Sequence, residues 1–200
     1  MRQKIKQKTI VEAARERFAH YGYSKVTMEE IASDVELGKA SLYYYFPAKE
    51  NLFKAVILLE QNELIEKIEL ILKKSEPASQ KLREYVELRM KFFQELMNLG
   101  TLSLHSTFET RSIFKKLFVD LEKIELSLIQ KIIDEGKSTK EFDPKLPSGA
   151  AIIFLHILQG LRCRIMRWHK GRSLDKSTYN NLQKEMRTVT DLFICGIKYK

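Results

Sequence analysis

Apolar side chains recur at three- and four-residue steps through nearly all of this 200-residue chain, and helix breakers are scarce, at 8 Gly and 4 Pro. That pairing leaves little room for a many-stranded fold, whose turns need glycine and proline and whose strands alternate with period two. From Lys8 to Tyr21 the positions Ile10, Ala13, Ala14, Phe18 and Tyr21 follow the helical period, and Gly22 ends the helix. Thr27-Met28-Glu29-Glu30 reads as a capping box, in which the Thr27 hydroxyl takes the third amide and the Glu30 carboxylate reaches back. Met28, Ile31, Ala32 and Val35 give the second helix its stripe, which breaks at Glu36-Leu37-Gly38. A short helix from Lys39 to Phe46 follows, with Leu42 and Phe46 one turn apart. Two short helices with a glycine-containing break of about three residues make a helix-turn-helix pattern.

Pro47 stops that helix, and Lys49-Glu50-Asn51-Leu52 opens one that continues to Ser75. Further helices are expected at Ser79–Gly100, at the short segment Thr101–Thr110, at Ser112–Glu135 with Gly136 as its cap, from Pro147 to His169, and from Ser177 to Tyr199. The fold class is all-α with about nine helices. A three-helix helix-turn-helix domain is expected at residues 1–50 and a second helical domain at residues 51–200.

Charge and cysteine content narrow the function. The net charge is +9, which invites a nucleic-acid partner because lysine and arginine neutralise phosphates. Yet residues 161–200 hold 10 basic and 3 acidic side chains, residues 1–50 hold 9 and 7, and residues 51–160 hold 16 of each. Net charge alone therefore does not locate the binding surface. Arg2, Lys4, Lys6 and Lys8 read either as an arm reaching phosphates or as a solvated, disordered terminus. Cys163 and Cys195 match no metal-ligand spacing and no C-x-x-C pair, and are expected as two buried, reduced thiols in a cytoplasmic protein. The longest nearly apolar run, Gly149 to Leu161, is too short to span a membrane. No metal and no cofactor are expected. The four histidines are dispersed and no catalytic motif is present, so the chain is not expected to be an enzyme.

Residues 9–53 carry a more specific pattern: Thr9-Ile10-Val11-Glu12-Ala13-Ala14 with Phe18 and Gly22, then Thr27-Met28-Glu29-Glu30-Ile31-Ala32, then Leu42-Tyr43-Tyr44-Tyr45-Phe46-Pro47-Ala48-Lys49-Glu50-Asn51-Leu52. This stretch resembles the DNA-binding domain of the TetR family of transcriptional regulators. The resemblance implies a homodimeric, ligand-responsive transcription factor, usually a repressor, with a C-terminal ligand-binding and dimerisation domain. It places Thr27 and Lys49 at phosphate contacts, and Lys39, Ala40, Ser41, Tyr43 and Tyr44 at recognition-helix positions facing the major groove. Leu42, Tyr45 and Phe46 would pack on the first two helices. The sequence departs from the family at the turn, where Glu36 stands at a position usually held by glycine and Gly38 replaces a serine N-cap.

Read without the family, the third helix suits DNA on its own chemistry. Ala40 and Ser41 permit close approach, Lys39 can meet phosphate or guanine acceptors, and tyrosine hydroxyls and rings can meet phosphates and thymine methyls. The opposing reading, that the consecutive tyrosines are packing, stands for Tyr45 above all. Phe154, Ile157, Leu158 and Leu161, with Phe193 and Ile197, are expected at a dimer interface, or else in a plain core. Phe93, Met97, His105, Phe108, Glu109 and Phe118 are candidates for the pocket of an apolar or amphipathic inducer of unknown identity. The basic stretch from Arg162 to Lys170 is read as solvating its helix end, with an acidic ligand or partner as the alternative. Double-stranded palindromic operator DNA is the expected partner. The competing function is a dimeric small-molecule-binding protein with weak or lost DNA binding.

Overall fold

The computed structural model describes residues 2–98, 108–169 and 175–199, with side chains described at 3, 5–96, 116–165 and 175–199. Among these residues the structure is all-α, with eight helices. α1 (Arg2–Tyr21) begins ahead of the apolar pattern, so the basic terminus is helical rather than an extended arm. Lysine and glutamine are good helix formers, and Thr9 Oγ1 donates back to the Ile5 carbonyl at 3.1 Å. Gly22, at φ 78°, closes the helix as expected.

α2 (Met28–Asp34) starts on the capping box, with the Glu30 amide donating to Thr27 Oγ1 and the Thr27 amide to Glu30 Oε2 at 2.8 Å. Its end is a Schellman motif: the Leu37 amide donates to the Ala32 carbonyl at 2.8 Å and the Glu36 amide to that of Ser33 at 3.2 Å. The motif needs a left-handed residue, and Glu36 supplies it at φ 53°. α3 (Lys39–Tyr45) begins after Gly38, which offers no side-chain cap.

α4 (Lys49–Leu72), α5 (Ala78–Asn98), α6 (Phe108–Ser138), α7 (Ala150–His169) and α8 (Lys176–Ile197) follow. The expected segment at Thr101–Thr110 lies, through residue 107, outside the described residues. α8 gains a cap the periodicity did not supply: Asp175 accepts from the Thr178 amide at 2.8 Å.

The chain forms two compact units. The first comprises Met1–Asn62, Phe93–Leu117 and Gly171–Ser173. In its core, Ile10, Ala14 and Phe18 of α1 meet Ile31 of α2, Leu42 of α3 and Phe53 of α4, all fully buried. Phe18 and Phe53 pack edge to face at 5.1 Å between ring centroids, with Tyr23 against both. Full burial of each of these isoleucine, leucine and phenylalanine side chains contributes about 1.5–3 kcal/mol.

The second unit comprises Glu63–Phe92, Phe118–Lys170 and Leu174–Lys200. Lys81 is buried and satisfied, with its ammonium donating to both Glu135 oxygens and to the Leu72 carbonyl. Glu141 accepts from the Ala78 and Ser79 amides at the start of α5. An antiparallel bridge between Phe142 and Lys198 ties the chain end to the loop after α6.

Three expectations are corrected here. Gly136 does not cap α6, which runs on to Ser138 and turns at Lys140, at φ 60°. Gly136 instead leaves room for the Phe142 ring, which a Cβ would meet at 2.2 Å. Cys163 and Cys195 are exposed, because each lies on the outward side of its helix. Arg162, read as part of a solvated stretch, is buried, while its neighbour Arg164 is exposed and pairs with Glu185 at 2.5 Å.

Candidate nucleic-acid interface

Packing decides which side of α3 is free. Leu42 is fully buried and Phe46 nearly so, leaving Lys39, Ala40, Ser41, Tyr43 and Tyr44 outward. Tyr44 is 74% exposed, an unusual position for a large aromatic with no core to fill, and Tyr45 is half-buried with its ring edge-on to that of Tyr44. The consecutive tyrosines therefore divide between the two readings.

The charged groups around this face are already engaged. Lys39 Nζ lies 2.5 Å from Glu29 Oε1 of α2 and 6.0 Å from the Tyr43 ring centroid. The hydrogen bond holds Glu29 below the usual carboxylate range and raises Lys39 above its ordinary value. Lys49 is half-buried with its ammonium 4.4 Å from the Tyr23 ring centroid. Burial lowers its pKa, against the opposing pull of Glu50 and Glu30. Tyr23, which periodicity did not single out, is pushed upward first by burial and then by Glu50.

Arg17 holds the first two helices in register. Its guanidinium grips the Asp34 carboxylate through Nε and through Nη2 at 2.8 Å, with Glu30 at 3.6 Å. That hydrogen bond is the main reason the Asp34 carboxyl sits below its ordinary range. Thr27 is exposed with its hydroxyl on Glu30 Oε2 at 2.9 Å, and Glu30 is held low mainly by the Thr27 amide. The spacing of Arg17 to Asp34 follows no short-range rule.

The remaining candidates fall elsewhere. Phe93 is buried and Phe118 half-buried, while the side chains of Met97, His105, Phe108 and Glu109 lie outside the described residues. Phe154, Leu158 and Ile197 are interior to the chain, because α7 and α8 pack along each other there. Of the two readings given for these residues, burial within the chain matches the plain core. Leu161 and Phe193 are half-buried and Ile157 is exposed. The outward face of these helices carries Ile152, Ile153 and Ile157 of α7 and Leu192 of α8, with open space at Gly160 and Gly196.

Comparison with known proteins agrees with this geometry. Residues 10–56 match the family model described as bacterial regulatory proteins, tetR family. A solved transcriptional regulator from Cytophaga hutchinsonii is 40% identical, with a TM-score of 0.87 over 94% of this chain and 96% of that one. The HTH-type transcriptional regulator YhgD of Bacillus subtilis is 27% identical over 188 residues, 88% of this chain and 92% of its own length. A TetR-family regulator structure from Mesorhizobium loti shares the fold, with a TM-score of 0.72 over 99% of each chain at 20% identity. No described helix is long and apolar enough to cross a membrane.

Proposed function

Because the chain belongs to the TetR family of transcriptional regulators, we propose that it is a cytoplasmic, ligand-responsive repressor that binds a palindromic operator as a homodimer. The observation that carries this reading is the division of α3, with Leu42 and Phe46 inward and Lys39, Ala40, Ser41, Tyr43 and Tyr44 outward. Residues 1–50 act as the DNA-binding domain and residues 51–200 as the ligand-binding and dimerisation domain. Thr27 and Lys49 meet phosphates at helix starts, and the outward side of α3 enters the major groove. A two-fold dimer sets the two recognition helices about 34–36 Å apart.

The apolar outward face of α7 and α8 supports the dimer, since such a face on a single chain calls for a partner and a two-fold contact uses one patch twice. Ligand binding in residues 51–200 favours a state that no longer matches the groove spacing, which requires unequal affinity for the two states.

A second reading has its own support. Glu29 occupies Lys39, and Glu36 stands in the turn, which favours a small-molecule-binding dimer with weak DNA affinity. Footprinting of the protein on its own promoter, with light scattering of the free protein, separates the readings. A dimer protecting two half-sites one helical turn apart supports the repressor, and a dimer with no protected site favours the alternative.

A further inference from the structure

The second unit buries a set of ionic groups that DNA binding does not use. Tyr85 and Arg89 on α5, Glu125 on α6 and Arg162 on α7 are all more than nine-tenths buried, Glu125 at 1% exposure and Arg162 at 6%. The Tyr85 hydroxyl donates to Glu125 Oε1 at 2.9 Å. The same oxygen lies 2.6 Å from Arg89 Nε, but that N–H points away from it and makes no hydrogen bond. Arg162 Nη1 is enclosed and has no hydrogen-bond partner. Glu125 therefore stands at ion-pair distance from Arg89 and acts on Arg162 only through its field.

This imbalance has a chemical direction. Guanidinium keeps its proton at neutral pH even here, where burial first and Arg89 second draw the Arg162 pKa down to about 10. Tyr85 is driven far above its ordinary range by burial, so it stays neutral and cannot serve as the missing anion. A buried guanidinium nitrogen with no hydrogen-bond partner is unfavourable, and an acceptor carrying negative charge beside it would relieve it. The surroundings are apolar: the Arg89 guanidinium lies 5.0 Å from the Phe92 ring centroid, and Leu121, Leu128 and Leu158 are buried one turn from Glu125 or Arg162. Whatever brings the charge must otherwise be greasy.

We propose that Arg162 and Arg89 form the anion-binding end of the effector site, and that the effector is an amphiphilic carboxylate with an apolar body and a single carboxylate head. The assignment rests on the ligand-responsive reading above. The head accepts from Arg162 Nη1 and from the misdirected Nε of Arg89, supplying the two nitrogens that have no hydrogen-bond partner. Tyr85 and Glu125 hold Arg89 in place and act as positioning residues.

Calorimetric titration of the full-length protein with decanoate and with decanol tests this, in the wild type and in Arg162→Met and Arg162→Lys. Decanoate is expected to bind at least roughly tenfold tighter than decanol, the ratio that a hydrogen bond to a charged group supplies. Arg162→Met should abolish that ratio while leaving the unliganded melting temperature equal or higher, because it removes a buried, desolvated charge with an unsatisfied nitrogen. Arg162→Lys should keep a reduced preference. Equal affinities, binding of neither compound, or a preference that survives in Arg162→Met would each overturn the assignment. If decanoate binds through Arg162 but leaves promoter affinity unchanged, the anion site stands and the ligand-responsive reading falls. If decanoate releases DNA equally well from the wild type and Arg162→Met, that reading stands and the anion site falls.

Discussion

Lys39, the first residue of α3, is held by Glu29 at 2.5 Å, so on the proposed reading it reaches any phosphate or base with a carboxylate already attached. DNA must displace that partner or accept its repulsion. Glu29→Gln should therefore tighten binding to both specific and unrelated duplexes by about 3- to 10-fold, and steepen the salt dependence as Lys39 is freed. Anisotropy titrations at several salt concentrations measure both effects. Unchanged affinity would mean that Lys39 does not meet DNA.

The turn before α3 carries backbone strain, because Glu36 adopts φ 53° with a Cβ attached. Glu36→Gly should stabilise the protein by about 0.5–1 kcal/mol, the relieved strain outweighing the extra freedom of the unfolded chain. Urea melts of the two proteins provide the comparison. A loss of stability in the glycine variant would contradict the strain argument.

Asp34 gives the first unit a defined acid response. Its folded-state pKa lies below the unfolded value because Arg17 bonds the charged form. Its contribution is present above the unfolded pKa, about 4, and is lost as pH falls through the folded pKa. Asp34→Asn should flatten the fall in melting temperature between pH 5 and pH 2.5, while lowering it at pH 7. Parallel wild-type and variant profiles would show that the pair carries no linkage.

Gly136 and Phe142 make the sharpest packing test. A Cβ at residue 136 would stand 2.2 Å from Phe142 Cδ2, inside a ring that is fully buried. Gly136→Ala should lose about 1–3 kcal/mol despite the higher helix propensity of alanine. Adding Phe142→Leu should return part of that loss, and a simple sum of the two single effects would argue against contact.

Local signals made much of the fold legible. The Thr27 box, the Gly22 stop and the apolar rows through Phe18, Leu42 and Phe53 each act over one or two turns, within reach of residue spacing. The positive φ at Glu36 was legible only through the resemblance, as a departure from a glycine position. Arg17 with Asp34 and Arg89 with Glu125 join residues far apart in sequence, where no period operates, and Phe142 reaches back to Gly136 across a turn that helical spacing does not describe. Cys163 and Cys195 are exposed for a related reason: apolar neighbours along a helix do not fix which side of it a residue occupies. The same ambiguity leaves Phe154, Leu158 and Ile197 open in the sequence between an interface and the chain's own core, where they are buried.

On the proposed function, the outward side of α3 reads DNA. Its most direct test is binding of the wild type and Tyr44→Ala to the protein's own promoter and to an unrelated duplex of equal length, at one physiological salt concentration. The account predicts at least roughly a thousandfold preference for the promoter, and a loss of about 5- to 100-fold at that site in Tyr44→Ala with non-specific binding unchanged. Equal affinity for both duplexes, unaffected by Tyr44→Ala, would contradict it.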